Sequence, residues 1–260
     1  MQQSEALALF GRPAGSRPWV LGHRGARHAA PENTFSAFEL ARNEGADGVE
    51  LDVRLDADGR VVVAHDKRLG RVSHGASNAL VEELPTSVLR SFDLGAGERV
   101  PLLAEVLEWA RDHALRVNVE LKSDLRRKRA LLEGVVAQLK ADRAAAKWVL
   151  LSSFHPRFVR YLAARLPEVP VCWLVHDRQV LLRFAPGWRS LGAHGVNPQH
   201  TLLSAGNVAR WKAAGALVNT WTVNEPQQAL QYAELGVDCI ISDTPAHVLS
   251  AFAEPRTPSA

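Results

Sequence analysis

The chain has 260 residues, 47% of them apolar and 23% charged, with a formal net charge of +3. A chain of this length and balance buries a large core without disulfide staples, and its composition excludes disordered, collagen-like and membrane-spanning classes. The isoelectric point of about 9.1 comes with scattered basic residues and no basic stripe interleaved with aromatics, which argues against a nucleic-acid partner.

The elements run in a regular order. Short β-rich segments are expected at 19–22, 47–53, 116–121, 148–152, 170–174, 194–197, 217–223 and 238–242. Amphipathic helical segments lie between them, at 34–44, 104–113, 127–139, 156–165, 205–213 and 226–235. Helix entries are marked by Asn33-Thr34, by Asn224-Glu225-Pro226 and by Thr244-Pro245. Gly45, Gly215 and Gly236 supply left-handed stops. Strands that alternate with helices imply parallel pairing with crossover helices, and eight of them predict a (β/α)8 TIM barrel, for which about 250 residues is typical. A doubly wound sheet is the alternative. One domain over 18–252 is expected, with 1–17 and 253–260 as tails. The gap between the second and third strands is much longer than the others. It holds a β-rich run at 60–64 after the Asp58-Gly59 turn signal, which predicts a small rim insertion, a hairpin plus loop, serving the site.

Cys172 and Cys239 are the only cysteines. Each sits in an apolar run and reads as a buried thiol in a reducing compartment. The segment MQQSEALALFGRP lacks the basic start and apolar stretch of a signal peptide, and no run is long enough to span a bilayer. The expectation is a cytoplasmic protein without stable membrane insertion, acting as a monomer or homodimer.

Strand alternation places the chemistry. In GVELDV, Val49, Leu51 and Val53 share one face and Glu50 and Asp52 the other. In RVNVELKS, Asn118, Glu120 and Lys122 oppose Val117, Val119 and Leu121. With the apolar faces under helices, the polar faces converge inside the barrel near its mouth. Buried without partners, such charges are very costly. A cation bound by Glu50, Asp52 and Glu120 removes that cost, and oxygen ligands point to Mg²⁺ or Ca²⁺. The alternative is a Glu120–Lys122 ion pair with solvated acids. His23 follows the first strand and His65 the hairpin strand. Together at one mouth they suit a base and an acid; as metal ligands they would favour Mn²⁺ or Zn²⁺. Arg24 and Lys122 suit a phosphate clamp, the alternative being surface or paired cations. Glu32 and Asn33 brace the site from behind. The other histidines lack such neighbours, His155 being the nearest to an exception.

HRG at His23–Gly25, PENT at 31–34, ELDV at 50–53, HD at 65–66, NVELK at 118–122, WTVN at 221–224 and GVDCIISDTP at 236–245 together resemble the glycerophosphodiester phosphodiesterase family. The resemblance runs in family order from about Trp19 to Leu249. It implies a barrel enzyme that hydrolyses small-molecule glycerophosphodiesters to an alcohol and glycerol phosphate, with a divalent cation, Mg²⁺, Ca²⁺ or Mn²⁺. It also implies His23 and His65 as the acid/base pair, Glu50, Asp52 and Glu120 as metal ligands, Arg24 and Lys122 as phosphate-contacting cations and Trp221 at the pocket wall. The nucleophile is either water or the glycerol's own neighbouring hydroxyl, the latter through a cyclic phosphate; the resemblance favours the second route, and the sequence leaves open which histidine is acid and which base. Leu55 stands where the family often has threonine, and Cys239 where it often has glycine. Three rival readings remain: a barrel lipase of the lysophospholipase D or sphingomyelinase type, for which no amphipathic or aromatic-rich segment stands out, a non-catalytic phosphodiester-binding protein, which would need no acid/base pair, and a structural α/β domain whose polar mouth has no activity.

Overall fold

The computed structural model describes residues 3–179, 184, 185 and 187–253. Among these are nine strands: β1 (Trp19–His23), β2 (Gly48–Leu55), β3 (Val61–Val63), β4 (Arg116–Leu121), β5 (Val149–Ser153), β6 (Val171–Val175), β7 (Gly195–Pro198), β8 (Leu217–Thr220) and β9 (Cys239–Ser242). All except β3 are parallel, and β1 pairs with both β2 and β9, so eight strands close into a ring. β3 pairs antiparallel with β2 outside that ring, Leu55 opposite Val61. This is the (β/α)8 barrel with a rim insertion that the sequence predicts. No helix among the described residues is long and apolar enough to cross a membrane.

β2 is buried along its whole length. Val49, Leu51, Val53 and Leu55 join the main core, with Phe38, Val106 and Leu131 from the surrounding helices. The alternate residues Glu50, Asp52 and Arg54 are therefore left to the opposite face. Parallel register then places Glu50 beside Asn118 and Asp52 beside Glu120, and His23 beside Glu50. Close pairing at the start of β2 depends on Gly48, where a Cβ would come within 2.1 Å of the Arg116 carbonyl oxygen.

The structure departs from the expected layout in three places. Within 1–17, expected as a tail, a helix spans Gln3–Phe10. Phe10 is buried against Leu150, Cys172 and Leu217 at the end of the barrel remote from the mouth. Arg116 follows it there, donating from Nε to the Leu9 carbonyl at 2.9 Å and lying 3.5 Å over the Trp19 ring. A few apolar residues in a short helix are a weak sequence signal, and only the barrel end gives Phe10 its partners. Of the other expected tail, residues 254–260 lie outside the described residues.

The second departure is the rim insertion, which is more than a hairpin and loop. Val62, Ala64, Leu69, Val81, Leu89, Leu94 and Val100 form a core of their own. Buried Asp56 anchors it, accepting from the Arg60 backbone N–H at 2.8 Å and from the Thr86 hydroxyl. Third, β8 stops at Thr220, not 223. Trp221 makes an isolated parallel bridge with Gln199 and is joined to Thr222 by a cis peptide bond. Both thiols, Cys172 and Cys239, are free and buried, and burial raises both thiol pKa values.

Candidate active site

The turn after β1 sets the first part of the site. Gly25 has φ +81°, and a Cβ there would lie 2.5 Å from the backbone of Ala37. That contact seats the turn on the helix Phe35–Asn43, whose N-cap is Thr34. Arg24 and Asn33 both take positive φ, 57° and 58°, a conformation few non-glycine residues adopt without compensation. The compensation is visible. The Arg24 N–H donates to Glu50 Oε2 at 3.1 Å, and Asn33 Nδ2 donates to Asp52 Oδ2 at 3.0 Å.

A pocket of about 210 Å³ opens at the barrel mouth and includes His23, Arg24, Glu50, His65, Glu120, Lys122 and Trp221 among its lining residues. Asp52 lies just beneath. All eight residues singled out from the sequence are thus brought to one place. Phe154, Leu174 and Ile241 complete an apolar wall; Trp221 meets Phe154 edge-on, with ring centres 5.6 Å apart, and its Nε1 donates to the Asn197 carbonyl at 2.9 Å.

Glu50, Asp52 and Glu120 are buried, and one oxygen of each lies within 4.8 Å of the others. Lys122 Nζ sits 2.7 Å from both Asp52 Oδ1 and Glu120 Oε1, and Arg24 Nε 3.3 Å from Asp52 Oδ2. The ion-pair reading of Lys122 and the carboxylate-cluster reading therefore describe the same residues. Burial raises the pKa of Glu50 well above the usual range, and the neighbouring Asp52 and Glu120 raise it further. Glu120 is raised as well, chiefly by burial. Burial also opposes ionisation of Asp52, but Lys122 and Arg24 outweigh it and hold Asp52 far below the ordinary carboxylate pKa.

The cluster thus carries more negative charge than its two cations comfortably offset. Asn118 Oδ1 and Ser152 Oγ, which line the pocket with Glu50 and Glu120, are buried without a hydrogen-bond partner. An all-oxygen donor set with spare lone pairs fits a hard divalent cation.

Each histidine is held by its own carboxylate. His23 Nδ1 donates to Asp243 Oδ1 at 2.6 Å, and its Nε2 lies 3.9 Å from Glu50 Oε2. Asp243, just past β9, is itself fixed by Arg27 Nε at 2.5 Å and Asn224 Nδ2 at 3.1 Å. His65 Nδ1 donates to Asp66 Oδ1 at 2.7 Å, and Asp66 accepts from Arg71 Nε at 2.7 Å. Arg71 grips Glu32 with two nitrogens, at 2.8 and 2.6 Å, and Glu32 also accepts from Arg24 Nη1 at 2.9 Å. Glu32 thereby joins the β1 turn to the rim insertion. Burial lowers the pKa of both imidazoles, opposed at His23 by the bond to Asp243 and at His65 by the charge of Asp52.

Sequence reasoning placed Glu32 and Asn33 behind the site. It missed Asp66, Asp243, Arg27, Arg71 and Asn224. The available signals were the aspartate adjoining His65 and the polar SDT after an apolar strand.

Fold and site together define a (β/α)8-barrel enzyme with a carboxylate cluster and two histidines at its mouth. Residues 23–247 match the Glycerophosphoryl diester phosphodiesterase family, and the chain belongs to that family. A glycerophosphodiester phosphodiesterase of Caldanaerobacter subterraneus subsp. tengcongensis is 30% identical over 243 residues, covering 89% of this chain and 96% of the relative. A phosphodiesterase of Oleispira antarctica, solved with the product sn-glycerol-3-phosphate, superposes with a TM-score of 0.81 at 28% identity, covering 92% of this chain and 98% of that one. A glycerophosphodiester phosphodiesterase of Thermotoga maritima gives a TM-score of 0.74 at 26% identity, covering 91% and 99%.

Proposed function

We propose that this chain hydrolyses glycerophosphodiesters to an alcohol and glycerol phosphate, with His23 and His65 as the proton-transfer pair. One observation carries the reading: both imidazoles have Nδ1 tied to an aspartate and line one pocket above a carboxylate triad. An ionised carboxylate can only accept, so each Nδ1 carries the proton and each Nε2 remains free to accept or deliver one.

Arg24 and Lys122 hold the diester's charge, with Trp221 against the glycerol. Glu50, Asp52 and Glu120 would hold Mg²⁺ or Ca²⁺, with Mn²⁺ a further fit. When bound, the cation supplies charge neutralisation at the phosphate. One histidine takes the proton from the attacking hydroxyl of the glycerol, whose oxygen forms a new bond to phosphorus. The bond to the alcohol oxygen breaks, and the other histidine protonates that oxygen. Water then opens the resulting cyclic phosphate. The two buried free thiols fit a reducing, cytoplasmic setting.

The test is a panel of glycerophosphodiesters assayed with Mg²⁺, Ca²⁺ and Mn²⁺ in parallel. Glycerol phosphate is expected with at least one metal and is lost in excess EDTA. No phosphomonoester with any of the three overturns the reading.

A further inference from the structure

We propose that a groove beside the catalytic pocket receives a phosphate group on the leaving alcohol, so that phosphorylated headgroups are preferred substrates. The inference rests on the hydrolase reading above and specifies its substrate class.

The groove lies on the rim insertion and shares His65 with the pocket. His65 borders both, so the groove adjoins the residue that faces the reacting centre. The pocket's compact wall of Phe154, Leu174, Trp221 and Ile241 suits the glycerol moiety that all such substrates have in common. The open groove is where the alcohol beyond the phosphorus emerges.

The charge of the groove is unbalanced. Four cations line it, Arg54, Lys67, Arg68 and Arg71, against two carboxylates, Asp66 and Asp124. Arg54 is committed to Asp124 at 2.8 Å. Arg71 is committed to Asp66 and Glu32. Lys67 and Arg68 are exposed and have no ion-pair partner among the described residues. Arg68 spends one nitrogen, Nη1, on the Asn78 carbonyl at 2.7 Å and keeps the rest of its fork. Arg54 forms the floor. Its side chain is 5% exposed, and Nε is locked to the His65 carbonyl at 2.9 Å. A fixed floor with two uncommitted cations at its edge is an anion subsite, and guanidinium geometry suits a phosphate's several oxygens.

The experiment compares kcat/KM for glycerophosphoinositol and for the same compound carrying one further phosphate on the inositol. The phosphorylated substrate is expected to be favoured about tenfold at low salt, from two added charge-assisted contacts. Raising the salt shrinks the preference, since the contacts are exposed. Lys67→Glu reduces it, and Lys67→Glu combined with Arg68→Glu brings the ratio to parity or below. Equal turnover of the two substrates by the unaltered chain overturns the inference while leaving the hydrolase reading standing. So does a preference that survives both charge reversals. A chain that turns over neither of these but does turn over other glycerophosphodiesters of the panel overturns the inference alone, and one that turns over none of them with any divalent metal overturns both.

Discussion

His23 and Asp243 are 220 positions apart, yet His23 Nδ1 and Asp243 Oδ1 lie 2.6 Å from one another. The bond spans the seam where β1 pairs with β9, so the barrel's closure and the tautomer of His23 are set by the same contact. Arg27 and Asn224 hold Asp243 in turn, and its pKa lies well below the carboxylate range: burial opposes its charge, but His23 and Arg27 outweigh that.

This arrangement makes Asp243 a positioning residue. Asp243→Asn should lower kcat about 100-fold, as for loss of an orienting carboxylate behind a functional histidine, with a smaller change in KM. The pH profile gives the sharper readout. His23 must be neutral to accept a proton, and Asp243 raises its pKa while burial lowers it. Removing the carboxylate therefore lowers the pKa further, and the limb of kcat/KM that His23 sets, the acid one as base or the alkaline one as acid, moves to lower pH. Two limbs that both stay in place would show that Asp243 serves the fold alone.

The two histidines should fail separately. His23→Ala and His65→Ala are each expected to lose about 10²- to 10⁴-fold in turnover, with circular dichroism and melting temperature little changed. Near-full activity in either variant removes that residue from the reaction.

The carboxylate cluster makes a prediction that needs no substrate. Mg²⁺ or Ca²⁺ should raise the melting temperature of the unaltered chain, because a ligand that binds only the native state stabilises it. Glu50→Gln should abolish that rise. In EDTA the same variant should be at least as stable as the parent, because burial and two like charges work against the Glu50 carboxylate. Differential scanning fluorimetry with and without metal separates these effects.

Lys122 should behave in the opposite way. Lys122→Met strands Asp52 and Glu120 without their shared cation and is expected to cost about 3 kcal/mol in EDTA. Added divalent cation should recover part of that loss, as read by urea unfolding.

At the far end of the barrel, Phe10→Ala should cost about 3 kcal/mol, the usual range for a buried aromatic cut to alanine. Turnover per folded molecule should be unchanged, since Phe10 packs on Leu150, Cys172 and Leu217 away from the pocket.

Much of this architecture is readable in the sequence because local periodicity carries it. The alternation in GVELDV separates Val49, Leu51 and Val53 from Glu50 and Asp52 before any fold is known. Eight such strands leave few ways to arrange them. What the sequence conceals depends on long-range contacts. Nothing near Asp243 announces His23, because their meeting requires the last strand to pair with the first. Arg71 and Glu32, 39 positions apart, meet only once the rim insertion has folded on its own small core. That core was hidden for the same reason: Val62, Leu69, Val81, Leu89 and Val100 follow no period of 2 or 3.6. Phe10 ends a short apolar run that had no visible target.

The seam has a consequence for the order in which the protein becomes competent during synthesis. Both histidines and all three clustered carboxylates leave the ribosome well ahead of Asp243. Until β9 emerges, β1 has a bare edge and His23 lacks the group that fixes its proton. A nascent chain carries almost every reactive side chain well before β9 is made, and its active site is ordered once β9 slots between β8 and β1.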